Sequence, residues 1–377
     1  MRRTLPLLAA LALGCPSPPR GQDRSAEGSA SAVSVAPHAS HADKDTGAEA
    51  AAPSEGNAKD AAHGTSTDAG TVLAPDDPMD LHLETPQEIL ALFLPTSSAD
   101  GGVFVPSRGL RSTFALEAGR FSQGNKRIAR HAIGRRACLE GLRGIVIQTE
   151  EQRTICHGLE NMVPIYGPVS SKGERAAPKA CIDVFEFPNR ACELPVVWGT
   201  PVEAANVCSS QGKRLCSQQE WNRACAGDPD GKADSVYAYG DELDLAICNT
   251  NKPHPLGPNG LQVCDPRTAD AAWASCGTDT EPSGAFPRCR SRMGVFDQHG
   301  NVAEMMTRKG DDGVIYDQLK GSAFFYVDVA RKPSEHQGPG RETYPDHCGY
   351  DPRWHVEPAA GAMHSNYHLG FRCCASL

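Results

Sequence analysis

Fifteen cysteines are scattered through this chain of 377 residues, and no two stand in the CxxC spacing that opens most zinc sites. A reduced compartment rarely holds so many thiols, so the pattern predicts disulfide cross-links made in an oxidising one. Such staples let a loop-rich domain hold together around a modest core. Charge adds an exclusion: 37 basic against 46 acidic residues leave a formal charge of -9, which offers no field for gathering nucleic acid. No nucleic-acid partner is expected.

The N-terminus points to export independently. Met1-Arg2-Arg3 supplies a cationic start, and Leu5 to Leu13 is apolar but too short for a permanent membrane span. The run ends at Ala12-Leu13-Gly14-Cys15, which reads as a lipobox, with cleavage before Cys15 exposing it for acylation. Ordinary signal cleavage near Gly14 is the competing reading. If Cys15 carries lipid, one of the fifteen cysteines is removed and an even fourteen remain, compatible with complete pairing. The expected location is the bacterial cell envelope, at the outer membrane or periplasmic face. The expected partners are the membrane, through the lipid anchor, and an envelope protein or glycan.

Composition divides the rest. Residues 1-15 form the expected signal peptide with its lipobox, and 16-80 carry almost no large apolar side chains, so burial cannot offset the entropy of ordering them. This stretch reads as a disordered linker, and His38, His41 and His63 within it as solvated residues rather than metal ligands. Residues 81-137 form an N-terminal extension with one short helix, which Pro86 starts and Pro95 ends. The basic run from Arg108 to Arg136 matches no nucleic-acid module and reads as a solvated amphipathic segment.

The cysteine-bearing domain spans 138-377. Within it Thr200-Pro201-Val202-Glu203 is a capping box with proline at the first helical position, predicting a helix over 201-211 that Gly212 stops. Ser217 to Glu220 repeats the device, predicting a second short helix with Trp221, Ala224 and Cys225 on one face and Gly227 at its end. Elsewhere 37 glycines and 29 prolines in the chain keep segments brief. The expected fold class is α+β, irregular and disulfide-stapled.

Four blocks then carry a resemblance. The stretch Gly212-Lys213-Arg214-Leu215-Cys216 through Glu220-Trp221 to Ala224-Cys225 resembles the GKRLPTEAEWE signature of the formylglycine-generating-enzyme, or sulfatase-modifying-factor, family. Ile182 to Glu186 is similar to that family's Asp-x-x-Glu strand, Met293 to Glu304 to its GLYDMxGNVWEW block, and Leu369 to Cys373 to its terminal GFRC. The resemblance implies a variant of the C-type lectin fold with little regular secondary structure.

It also implies particular chemistry. A structural calcium would lie on the positions matching Asp297, Gly300, Val302 and Glu304, hard oxygen ligands presented around a tight turn. The competing reading has Asp297 and Glu304 capping turns or pairing with Arg292 or Arg308. A second calcium site would begin at Asn249-Thr250, with its other ligands not located. The family's oxidases hold copper(I) on two cysteine thiolates, and here those positions read as Phe325 and Ala330, neither of which offers a ligand. No copper is expected. The resemblance further implies a Cys208-Cys373 bridge, and a bridge from Cys225 to Cys348 or Cys374. His364 and His368 have the spacing of half a metal site but read as loop histidines, and vicinal Cys373-Cys374 as structural rather than redox-active.

The functional expectation is an envelope lipoprotein whose non-catalytic domain binds or scaffolds. Its rival is a metal-dependent oxidoreductase with a non-standard site near Phe325, His336 and His364.

Overall fold

The computed structural model describes residues 76-92, 121-250, 252, 269-325, 328-331, 340-343, 347-350, 356-362 and 364-377. The signal peptide, Cys15, most of the linker and His336 lie outside them. Helix α1 (Pro86–Ala91) starts at a Thr85 capping box, and its Ile89 is fully buried. Two short helices follow, α2 (Arg135–Gly141) and α3 (Glu150–Ile155), then strands β1 (Met162–Pro164) and β2 (Ala180–Asp183).

Helix α4 (Pro201–Ser210) has the capping box at Thr200 and Glu203, and Gly212 takes φ +72° just beyond it, as that left-handed stop requires. Strand β3 (Arg214–Leu215) leads into helix α5 (Gln218–Ala226), which buries Trp221, Ala224 and Cys225 and ends at Gly227. After α6 (Ala269–Ser275) come β4 (Ala303–Lys309), β5 (Ile315–Lys320), β6 (Asp328–Arg331), β7 (Gly340–Thr343), β8 (Glu357–Pro358), β9 (Leu369–Phe371) and β10 (Cys373–Ser376). Among the described residues no helix is long and apolar enough to cross a membrane.

One sheet has the order β1-β2-β10-β3 and is antiparallel throughout. Another has the order β8-β5-β4-β9, in which β4 and β9 run parallel; β6 and β7 pair separately. Strands β9 and β10 are separated only by Arg372, so the chain leaves one sheet and enters the other at that residue. Short elements, two small sheets and much irregular backbone make this the α+β arrangement expected. Residues 121-170 join the same core: Phe121 packs on Phe187 and Phe371, and β1 is an edge of the first sheet.

Six disulfides join described cysteines: Cys138–Cys192, Cys156–Cys181, Cys208–Cys373, Cys216–Cys374, Cys225–Cys348 and Cys248–Cys289. Cys276 is disulfide-bonded as well, so every described cysteine is cross-linked. Three bridges close loops of 165, 158 and 123 residues, each contributing about 3–5 kcal/mol on the chain-entropy account.

Candidate functional site

Residues of all four sequence blocks converge on one buried polar centre. Arg372, fully buried, crosses between the sheets and donates through Nε to both carboxylate oxygens of Glu304, at 2.8 and 2.7 Å, and through Nη2 to Glu304 Oε1. Its remaining N–H groups reach the main-chain oxygens of Asp183, Val184 and Phe296. Trp221 Nε1 donates to Glu304 Oε2 at 2.7 Å. Thus β4, helix α5, the end of β2 and the β9–β10 crossing are tied through a single ion pair. Buried charges are tolerated when paired and hydrogen-bonded in this way.

Glu186 and Asp297 complete the centre. Glu186 accepts from Val302 N, from Asn301 Nδ2 and from the Ser283 hydroxyl, while Asp297 Oδ2 accepts from Gly284 N at 2.7 Å. Burial, with the negative neighbours Asp297 and Glu304, raises Glu186 well above the usual carboxylate range. Burial likewise pushes Asp297 up to about 7, with Gly284 N–H and Arg372 opposing and Glu304 assisting. Burial works against the charge of Arg372, but Glu304 holds its pKa above the ordinary value. Three buried carboxylates therefore face one guanidinium, and surplus buried negative charge of this kind is what a hard cation neutralises. Asp183 stands apart with its own cation, accepting from Lys213 Nζ at 2.7 Å and from Cys373 N.

The turn that presents these groups depends on a glycine. Gly300 has φ +76°, and a Cβ there would collide with the carbonyl oxygen of Asn249. The Asn249-Thr250 pair, distant in sequence, is thereby set against the Asp297–Glu304 block: Asn301 N donates to Asn249 O and Asn249 Nδ2 to Asn301 Oδ1, both at 2.9 Å. Thr250 instead turns its hydroxyl to Leu245 O. The two sequence sets form one continuous structure. Arg292 and Arg308 are not the partners of Glu304; Arg292 pairs with Asp228, and Arg308 lies over the Tyr316 ring.

Sequence reasoning assigned no role to Glu186 or Arg372, although both lie in quoted blocks. Their signal was a charge inside an otherwise apolar stretch, Val184 to Phe187 for Glu186 and Leu369 to Cys374 for Arg372. Cys225 is bonded to Cys348, and Cys374 is not its partner, because Cys374 is held by Cys216. The physical reason is strand alternation: successive residues of β10 point to opposite faces, so Cys373 reaches Cys208 on one side and Cys374 reaches Cys216 on the other. The same alternation keeps the vicinal cysteines from serving each other. His299 Nε2 lies 3.5 Å from Cys225 Sγ and 3.8 Å from Cys348 Sγ and accepts from Ala238 N. These three side chains could together hold a metal ion only with the sulfurs separate, and here the sulfurs are bonded to each other.

Phe325 is 2% exposed and packs with Phe324, Tyr367, Trp198 and Val302, its ring 5.4 Å from that of His368. Ala330 lies in β6 opposite Arg341. His364 is half-buried, and its main-chain N–H donates to Glu357.

Residues 171-376 match the family described as the sulfatase-modifying factor enzyme 1-like domain. Among solved structures, the chain is similar to CarF at 14% identity, covering 56% of this chain and 92% of that one with a TM-score of 0.33. It is also similar to the U1 variant of the Major Tropism Determinant at 12% identity, covering 58% of this chain and 52% of that one with a TM-score of 0.22. No curated protein matches it. With more than half of its length matched and the four blocks joined in one centre, this chain belongs to the sulfatase-modifying factor enzyme 1-like domain family.

Proposed function

We propose that the chain is an exported, lipid-anchored envelope protein whose family domain is a non-catalytic binding or scaffold module. The observation that carries this reading is Phe325: a buried aromatic ring fills the position that corresponds, by resemblance, to the first copper-binding cysteine. Soft thiolate sulfur is the ligand copper(I) requires, and all described cysteines are committed to disulfides. The N-terminal sequence and the density of cross-links support export; the tether and the irregular loops suit a domain that meets an envelope protein or glycan. Protein purified from the envelope is expected to contain no stoichiometric copper and to consume no oxygen with a cysteine-containing sulfatase peptide. Copper at one equivalent with two titratable thiols would overturn the proposal.

The proposal includes a structural calcium. Asp297 and Glu304, with carbonyls of the Gly300–Val302 turn, would hold it, and its charge would offset the carboxylate surplus around Arg372. Calcium at 100 times its dissociation constant is expected to stabilise the domain by about 2.7 kcal/mol, measured by thermal melting against a chelator. Asp297→Asn should shrink that gain; an equal melting temperature with and without calcium rejects the site.

A further inference from the structure

Two buried histidines outside the centre make a contact that their ordinary protonation cannot satisfy. His82 follows the short 3-10 turn Pro78–Leu81, in the segment through which the chain enters the domain, and His131 lies in the loop before α2. They are 4% and 8% exposed. His82 Nε2 is 2.8 Å from the Gly124 carbonyl oxygen, and His131 Nδ1 is 2.6 Å from the Thr280 carbonyl oxygen. A carbonyl oxygen can only accept, so each of these ring nitrogens must carry a proton. The other two nitrogens, His82 Nδ1 and His131 Nε2, then face each other at 2.7 Å.

Proton counting decides what lies between them. Three contacts need three ring protons, and two neutral imidazoles supply two. Without a third proton, two lone pairs would be pressed together at hydrogen-bond distance. A metal ion does not answer the geometry. Each imidazole nitrogen stands about 2.0–2.1 Å from a zinc ion lying between the ligands, whereas these rings meet nearly head-on, with centres 5.0 Å apart.

We infer that His82 and His131 share one excess proton, making a buried cationic latch that fastens residues 76-92 to the domain and loosens when that proton is lost. The segment is held nearby by Leu83 N to Gln123 Oε1 and Gln123 N to Leu83 O, so it can respond as a unit. Glu84 and Glu88 on the segment favour the charge; Lys126 and Lys252 on the domain side oppose it. Burial also works against it, and taken ring by ring lowers both groups, His131 to about 4. Relief of the facing lone pairs acts on the pair rather than on either ring, and it raises affinity for the first proton alone. With the shared proton held more tightly in the folded chain than in the unfolded one, the latch is complete below about pH 6.5 and is lost as pH rises through the pair's folded value. The lipid-anchored linker would enter the domain through this segment, so the latch sets how firmly the domain's attachment point is held.

Nitrogen-detected NMR of the imidazoles in the full chain reads the proton directly, with His82→Gln and His131→Gln used for assignment. The expected result is three protonated ring nitrogens shared by the two residues at about pH 6.5. Amide exchange at Gln123 should speed up at least tenfold more than intrinsic base catalysis explains between pH 6.5 and 9, and His131→Gln should abolish that excess. Two neutral rings at pH 6.5, an unchanged exchange excess in the variant, or spectra that respond to a chelator would overturn the inference. The wild-type spectra remain decisive if either variant fails to fold.

Discussion

The centre around Arg372 and the packet around Phe325 lie in the same small domain and solve burial in opposite ways. The first buries Glu186, Asp297 and Glu304 against one guanidinium; the second is Phe324, Phe325, Tyr367 and neighbouring apolar groups. Charge in the first place is tolerable because Arg372, Trp221, Asn301 and the main-chain N–H groups of Gly284 and Val302 donate to the carboxylates. The second place is built chiefly of packed rings, with His368 edge-on to Phe325 and Tyr367. One small domain can therefore keep an expensive polar junction for architecture while a neighbouring packet is given over to ring packing.

The sharpest way to break this contrast is Arg372→Ala. It leaves Glu304 buried without its cation beside two further carboxylates and should cost about 3–5 kcal/mol, enough for the domain to fail in a denaturant melt. A loss below 1 kcal/mol would mean water reaches the centre. Phe325→Ala should cost about 3 kcal/mol by opening a cavity, with an unchanged m-value in the same assay. A neutral result would show that the ring does not fill the packet.

The smallest effect concerns a carboxylate with no guanidinium partner among the described residues. Asp317 on β5 sits opposite Glu357 on β8, and burial, assisted by that like charge, pushes its pKa up to about 7. A raised folded value means the favourable proton is fully present below about pH 4 and is lost as pH climbs to 7. Asp317→Asn should leave stability unchanged near pH 4 and raise it by about 1–2 kcal/mol at pH 8. Equal gains at both pH values would place the effect elsewhere than in the titration.

Local rules made much of the fold legible. The capping boxes at Thr200 and Ser217 and the stop at Gly212 marked two helices because caps and left-handed glycines are decided within four residues. The helix after Thr85 was marked by Pro86 at its first position, and its capping box came to light only in the structure. What stayed hidden was long-range. Nothing local says that Arg372 chooses Glu304, 68 residues away, over nearer carboxylates, nor that Cys374 turns to Cys216 while its neighbour turns to Cys208. Those choices follow from which sheet each strand joins. The histidine contact was equally invisible, since His131 lies in the run from Arg108 to Arg136 read as solvated and His82 stands 49 residues before it.

The crossing at Arg372 also bears on when this molecule can become itself. Residues 369-376 supply β9 to one sheet and β10 to the middle of the other, together with two bridging cysteines and the guanidinium. Strands β2 and β3, made long before, have no neighbour joining them until that stretch emerges from the ribosome. Synthesis thus delivers this keystone after the other strands of both sheets, so neither sheet can be completed before residues 369-376 are made.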